Sequence, residues 1–377
     1  MAIINLSGAE TGDFAECSGS AGTVSVQGTV KRTGSYAYRA NPTGDTNSYW
    51  YFQTYDQYGR HNDGVKYAAV WVRFYLRIDT APSSGTEGIV FRLGLTQIAV
   101  RLVNDGGSLK LRLYDSAGSL LGTGSAVLTT GTWYRVEVAW AKGEDAAYEL
   151  RIDGNTQVSG SGNLGTTDAA AFYFGRLFVT GATTTDLYID DICIRDDTWP
   201  GAGEIKMLSP SGAGAASDWS ASAGNAFECV DELSPNGDDD YISVVDPAGA
   251  TEHHFALPDA ASAGIAGTVN AAKGMASEKY VTTQRATRVI LTIGGSAVET
   301  SALSKTTGYV TYAKIGAPTL AQIDAMQIGI GRATNTGESR CSWMAVMVDY
   351  TPGEVPGHPS TKRMGLVAGC TRTKGIF

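Results

Sequence analysis

Apolar and polar side chains alternate with period two along most of this chain, the pattern of strands that bury one face. WVRFYLRID (71 to 79) sets Val72, Phe74, Leu76 and Ile78 against Trp71, Arg73, Tyr75 and Arg77. GIVFRLGL offers Ile89, Phe91, Leu93 and Leu95 to a core, and IAVRLV and LKLRLYD follow, each closed by turn-forming residues. GTWYRVEVAW (131 to 140) puts Tyr134, Val136, Val138 and Trp140 inward, and Trp133, Arg135, Glu137 and Ala139 outward. YELRIDG, FYFGRLFV and DLYIDDICI continue the series, and a phase shift at Asp190-Asp191 predicts a β-bulge. No segment before residue 200 has the 3.6-residue spacing of an amphipathic helix.

DDTWPGAGE (196 to 204) interrupts the alternation with Pro and Gly. Beyond it, EIKMLSP, DYISVVD, HHFALPD, TRVILTIGG, GYVTYAKI, MQIGIGRA and SWMAVMVDY read as further strands. PTLAQIDAM predicts one short helical turn capped by Thr319. The chain is therefore predicted to be all-β, two tandem antiparallel β-sandwiches of jelly-roll type with an extended C-terminal arm. The expected divisions are a first domain over 1–197, a linker over 198–203, a second sandwich over 204–351 and an arm over 352–377. That arm is unpatterned and basic, with Lys362, Arg363, Arg372 and Lys374 against Glu354, and suits docking on an acidic neighbouring subunit.

Composition narrows the function classes. Charged residues make up 18% of the 377 positions, Gly numbers 47, and Tyr at 18 exceeds Phe at 10, as in turn-rich β proteins. A net charge of −9 opposes a surface built for phosphate, so no nucleic-acid partner is expected. No apolar run is long enough for a membrane helix, and MAIINLSGAE lacks the features of a secretory signal, so no membrane insertion is expected. Cys17, Cys193, Cys229, Cys341 and Cys370 are scattered without metal-ligand spacing and are read as reduced thiols.

The first half resembles the concanavalin A-like, laminin G-like jelly rolls of tailed-bacteriophage virion proteins. The resemblance is carried by ETGDFAE (10 to 16), GTVSVQGTVKRTGSYAYRANPTG (22 to 44), GTWYRVEVAW, YELRIDG and DLYIDDICI. NAFECVDELSPNGDDDYISV, GYVTYAKI and IDAMQIGIG resemble a β-sandwich that accompanies such modules. The resemblance implies a non-enzymatic virion structural protein, assembled in the host cytoplasm, that decorates the capsid or forms an accessory part of the tail. Its implied partners are other virion proteins and copies of itself, a trimer among the arrangements. The alternative is a tail adhesin that binds a host-surface glycan, and the remote alternative a glycan-degrading enzyme.

Four clusters carry candidate chemistry. NSYWYFQTYDQYGRHNDG (47 to 64) combines Tyr49, Trp50, Tyr55 and Tyr58 with Arg60 and His61, a composition for stacking on sugar rings or for a subunit interface. Some glycanases with the resembled fold carry carboxylates as E-x-D-x-x-E, whereas Glu10, Asp13 and Glu16 are spaced three and three and read as a polar loop, so no catalytic residue is assigned. Asp238, Asp239 and Asp240 supply oxygen ligands for Ca²⁺, which jelly rolls of that family sometimes bind; as adjacent residues they equally form a solvated turn, and no other cofactor is expected. His253 and His254 would point to opposite faces of a strand and cannot share a metal.

Overall fold

The computed structural model describes residues 3–44, 46–54, 65–94, 97–177, 184–282, 287–299, 309–333 and 336–353. Nearly all of its regular structure is antiparallel strand, in four sheets of eight, seven, six and five strands among the described residues. Strands up to Arg195 build the first two sheets, and strands from Glu204 onward build the other two. The predicted helical turn is present at Leu320–Ile323 with Thr319 as its cap. Of the expected C-terminal arm, Pro352 ends the last strand, and residues 354–377 fall outside the described residues.

The eight-stranded and seven-stranded sheets pack face to face. Val72, Phe74, Leu76 and Ile78 of strand Ala69–Thr80 and Val136, Val138 and Trp140 of strand Trp133–Ala141 meet Phe91, Leu111, Phe172 and Phe174 from the opposite sheet. The bulge lies where the alternation breaks: the register of strand Asp186–Arg195 shifts between Asp190 and Cys193, and Asp191 has φ 49. One expected phase is corrected. The register also slips between Ile89 and Phe91, so Val90 joins the core while Ile89 turns to the outer face.

The six-stranded and five-stranded sheets enclose a second core around Phe255, Leu291, Ile328, Met344 and Val346. A third apolar cluster joins the two sandwiches. Leu6 and Cys193 of the eight-stranded sheet pack there on Ile205, Met275, Trp343, Ala345 and Met347 of the six-stranded sheet. The molecule is thus a stack of four sheets, and the eight-stranded sheet has neighbours on both faces.

That packing changes how the polar side of this sheet must be read. Glu137, expected to face water, is 1% exposed and its Oε1 accepts the Gly201 amide at 2.9 Å, while Arg135 pairs with its Oε2 at 3.1 Å. The interrupting segment around 196–203 lies over this strand, and the Arg151 guanidinium sits 3.8 Å from the Trp199 ring. Arg73, fully buried, donates to Asp349 Oδ1 at 2.6 Å across the seam between sandwiches, and Lys273 donates to Asn5 Oδ1 at 2.7 Å.

Candidate functional site

Strand Ser48–Gln53 carries the described part of the aromatic cluster, and its burial alternates strictly. Trp50 is 0% exposed and stacks on Tyr38 with ring centroids 4.8 Å apart, so it leaves the set of ligand candidates: an indole in the core cannot also meet a sugar. Tyr49 and Tyr51, on either side of it, point outward. Tyr55, Tyr58, Arg60 and His61 lie outside the described residues, as do Lys362, Arg363, Arg372 and Lys374.

Cross-strand register carries the outward tyrosines into a row. Tyr51 stands opposite Tyr173 of strand Ala171–Leu177, Tyr173 opposite Arg92 of strand Glu87–Leu93, Arg92 opposite Ala99 of strand Ala99–Asp105, and Ala99 opposite Tyr114 of strand Ser108–Tyr114. At roughly 4.8 Å per strand the row extends about 19 Å across the seven-stranded sheet. Tyr173 lies 5.5 Å from Tyr51 and 5.7 Å from Tyr49 between ring centroids, which makes a three-ring platform at one end. Burial, then the neighbouring Tyr49 and Tyr51, raise the Tyr173 phenol above its usual range, so its ring stays neutral at physiological pH.

At the other end Glu87 organises cations. Its Oε1 accepts from Arg101 at 2.5 Å, its Oε2 accepts the Tyr114 hydroxyl at 2.9 Å, and Arg112 lies 3.6 Å from Oε2. The Arg101 guanidinium covers the Tyr114 ring at 3.9 Å. Arg92, Arg101, Lys110 and Arg112 occupy this face, with Glu87 as the carboxylate partner of Arg101 and Arg112, a basic patch on an acidic chain. Alternation is the signal that could have set Tyr173, Arg92 and Tyr114 outward; what it lacks is the order of strands that brings them side by side.

The other candidates resolve differently. Asp238 is bound by Lys279, by Arg340 at 3.0 Å and by the Tyr309 hydroxyl at 3.2 Å, and the Lys279 hydrogen bond lowers its carboxyl. Asp240 accepts instead from Asn236 at 2.5 Å. Two cations already pair with Asp238, and among the described residues no group of three His, Cys, Asp or Glu gathers to hold a metal. His253 stacks on Phe255 and accepts the Trp219 amide, whereas His254 pairs with Glu252, each a structural role.

The expectation of a polar loop at 10–16 is overturned. Glu16 is fully buried, and its two oxygens accept from Ser7, Gly8, Ala9 and Thr11. Burial pushes its carboxyl up, opposed by those donors and by Lys273. Glu10, 4% exposed, accepts the Ser35 amide at 2.7 Å and is pushed up to about 8, mainly by burial and further by Glu16 and Asp191. Burial lowers Lys273 to about 8 against the pull of Glu16. Asp191 Oδ2 takes the Arg32 guanidinium at 2.6 Å, and its Oδ1 takes the Ile205 amide at 2.7 Å, tying the bulge to the first strand of the second sandwich. These carboxylates are structural, since each faces protein donors.

Cys17, Cys193, Cys229 and Cys341 are buried, and burial raises the Cys193 thiol to about 12. Cys370 lies outside the described residues.

No known family model matches the chain, and no curated protein sequence matches it. Among solved structures, it is similar to a cellulose-induced protein, Cip1, at 17% identity and a TM-score of 0.36, over 48% of this chain and 88% of that one. An endo-β-1,4-glucuronan lyase from the fungus Trichoderma reesei aligns at 15% identity and a TM-score of 0.35, over 51% of this chain and 97% of the lyase. A carbohydrate esterase of the Shiga toxin-encoding bacteriophage phi24B aligns at 14% identity and a TM-score of 0.39, over 52% of this chain and 99% of the esterase.

Proposed function

We propose that this chain is a non-enzymatic, carbohydrate-binding element of a bacteriophage particle, the adhesive alternative raised by its sequence. The observation that carries the reading is the row Tyr51, Tyr173, Arg92, Ala99, Tyr114 on the outer face of the seven-stranded sheet. Neutral aromatic faces stack on the C–H faces of sugar rings, and guanidinium groups held by Glu87 offer fixed donors to hydroxyls. The absence of activity is argued from the described acids: Glu16 is consumed by buried donors, Glu10 is 4% exposed with its Oε2 on the Ser35 amide, and Glu87 is held by two arginines and a tyrosine. The phage setting is supported by the sequence resemblance in residues 10–16, 22–44, 131–140, 148–154 and 186–194.

Glycan-array binding by the wild-type protein and by Tyr173→Ala tests the reading. We expect a defined set of glycans to be retained by the wild type and lost by the variant, with no new reducing ends after prolonged incubation. Binding nothing on the array, or binding unaltered by Tyr173→Ala, would refute it. A second reading, capsid decoration through subunit contacts, draws on the enrichment of Tyr and Arg at protein interfaces. It predicts that Tyr173→Ala dissociates an oligomer in light scattering.

A further inference from the structure

The basic character of the row identifies a ligand class more closely, on the reading that this face binds carbohydrate. Arg92 stands midway along it, with the Tyr51–Tyr173 platform on one side and Tyr114 beyond the small Ala99 on the other. Arg101 and Arg112 occupy the adjacent row, opposite each other across neighbouring strands. A neutral sugar needs stacking surfaces and a few polar partners; it does not need several guanidinium groups concentrated on a chain of net charge −9. Their planar forks match a carboxylate in two-point geometry. Glu87 satisfies part of the charge of Arg101 and Arg112 and holds both in place, so binding an anion there costs little side-chain entropy. The length of the row, about 19 Å at the ordinary strand spacing, accommodates about four linked pyranose rings running across the strands.

We propose that the face binds an acidic glycan, a chain of uronic-acid sugars, with rings on Tyr51, Tyr173 and Tyr114 and a carboxylate on Arg92. A polynucleotide offers anions and flat rings as well, but it carries a charge at every unit and draws on a wider basic surface than this acidic chain supplies.

The full chain is titrated calorimetrically with tetramers of galacturonate, glucuronate, mannuronate and guluronate, with the carboxyl-reduced form of each, and with the oligonucleotide (dT)12. Expected is tighter binding, by about tenfold or more, of at least one uronate tetramer over its reduced form, weakening as salt is raised. Arg92→Gln should erase that preference, Arg92→Lys should keep part of it, and Tyr173→Ala should weaken the acidic and reduced tetramers alike. Thermal melts confirm that each variant is folded. Equal affinity for acidic and reduced tetramers overturns the acidic assignment and leaves the carbohydrate reading standing. Failure of every tetramer to bind, or preference for (dT)12, overturns both.

Discussion

Arg73 and Asp349 lie 276 residues apart in sequence and meet at 2.6 Å in the seam between the sandwiches, with side chains 0% and 1% exposed. Arg73 also donates from Nε to the Asp191 carbonyl at 3.1 Å, and Asp349 Oδ2 accepts from Asn270 at 3.1 Å. Burial alone would lower the guanidinium, and the facing carboxylate more than offsets it. In Asp349→Leu the arginine keeps a buried charge with no counter-ion, and in Arg73→Met the aspartate does. Breaking a buried pair from one side costs about 3–5 kcal/mol, whereas replacing both partners with apolar groups of similar size is close to neutral. The double variant is therefore expected to be more stable than either single one. Urea unfolding, followed by tryptophan fluorescence and by circular dichroism, provides the assay. The wild type should unfold with both probes together, and each single variant should separate the two sandwiches into distinct transitions. Single variants within about 1 kcal/mol of the wild type, or a double variant whose loss equals the sum of the singles, would show that this pair does not couple the sandwiches.

Other consequences follow from the same seam and core. A Cβ on Gly203 would lie 2.1 Å from Arg73 Nη1 and 2.8 Å from Asp349 Oδ1, so Gly203→Ala should destabilise by about 1–3 kcal/mol in the same urea assay. Glu10 is raised from 4.5 to about 8, so the native state keeps a proton that the unfolded chain has released between those values. Stability should accordingly fall as pH rises from about 4.5 to 8 and level off above, and Glu10→Gln should gain on the wild type over that window by up to about 4 kcal/mol. Unfolding midpoints at pH 5, 6.5 and 8 check this; parallel curves would count against it. Trp50→Ala should cost about 3–5 kcal/mol as a core truncation, read by thermal unfolding, and a near-neutral result would reopen Trp50 as a surface residue.

Individual strands were legible because their signal is local. Val136, Val138 and Trp140 face the core as their alternation requires, the bulge sits at Asp190 and Asp191, and Thr319 caps its turn. The polar positions were harder, because alternation reports only which side of a strand a residue occupies and not what covers that side. Arg73, Glu137, Glu10 and Glu16 have the identity of solvent-facing residues and the environment of buried ones. Their partners lie on distant strands or in turns that sequence order does not bring together. The aromatic row escaped for a related reason. Strand Ala171–Leu177 enters the seven-stranded sheet between strands Ser48–Gln53 and Glu87–Leu93, which are far from it in sequence, and only that insertion sets Tyr173 between Tyr51 and Arg92.

Stacking the sheets also limits where recognition can occur. The eight-stranded and six-stranded sheets are sandwiched, so the broad sheet faces left outermost belong to the seven-stranded and five-stranded sheets. On the five-stranded sheet the outer charges cancel locally: Arg288 bridges Glu252 at 2.6 Å and Glu299 at 3.3 Å, and His254 lies 3.1 Å from Glu252. On the seven-stranded sheet, among the described residues, Arg101 and Arg112 share the one carboxylate Glu87 beside the Tyr114 ring, and in the proposed function this face offers both charge and stacking surface to a ligand. Strand Glu338–Pro352, from which residues 353–377 continue, belongs to the six-stranded sheet, on the far side of the eight-stranded sheet from the row. The buried Arg73–Asp349 ion pair and the Lys273–Asn5 hydrogen bond hold the two sandwiches in one orientation, so in the proposed function fixing one sandwich would aim the other.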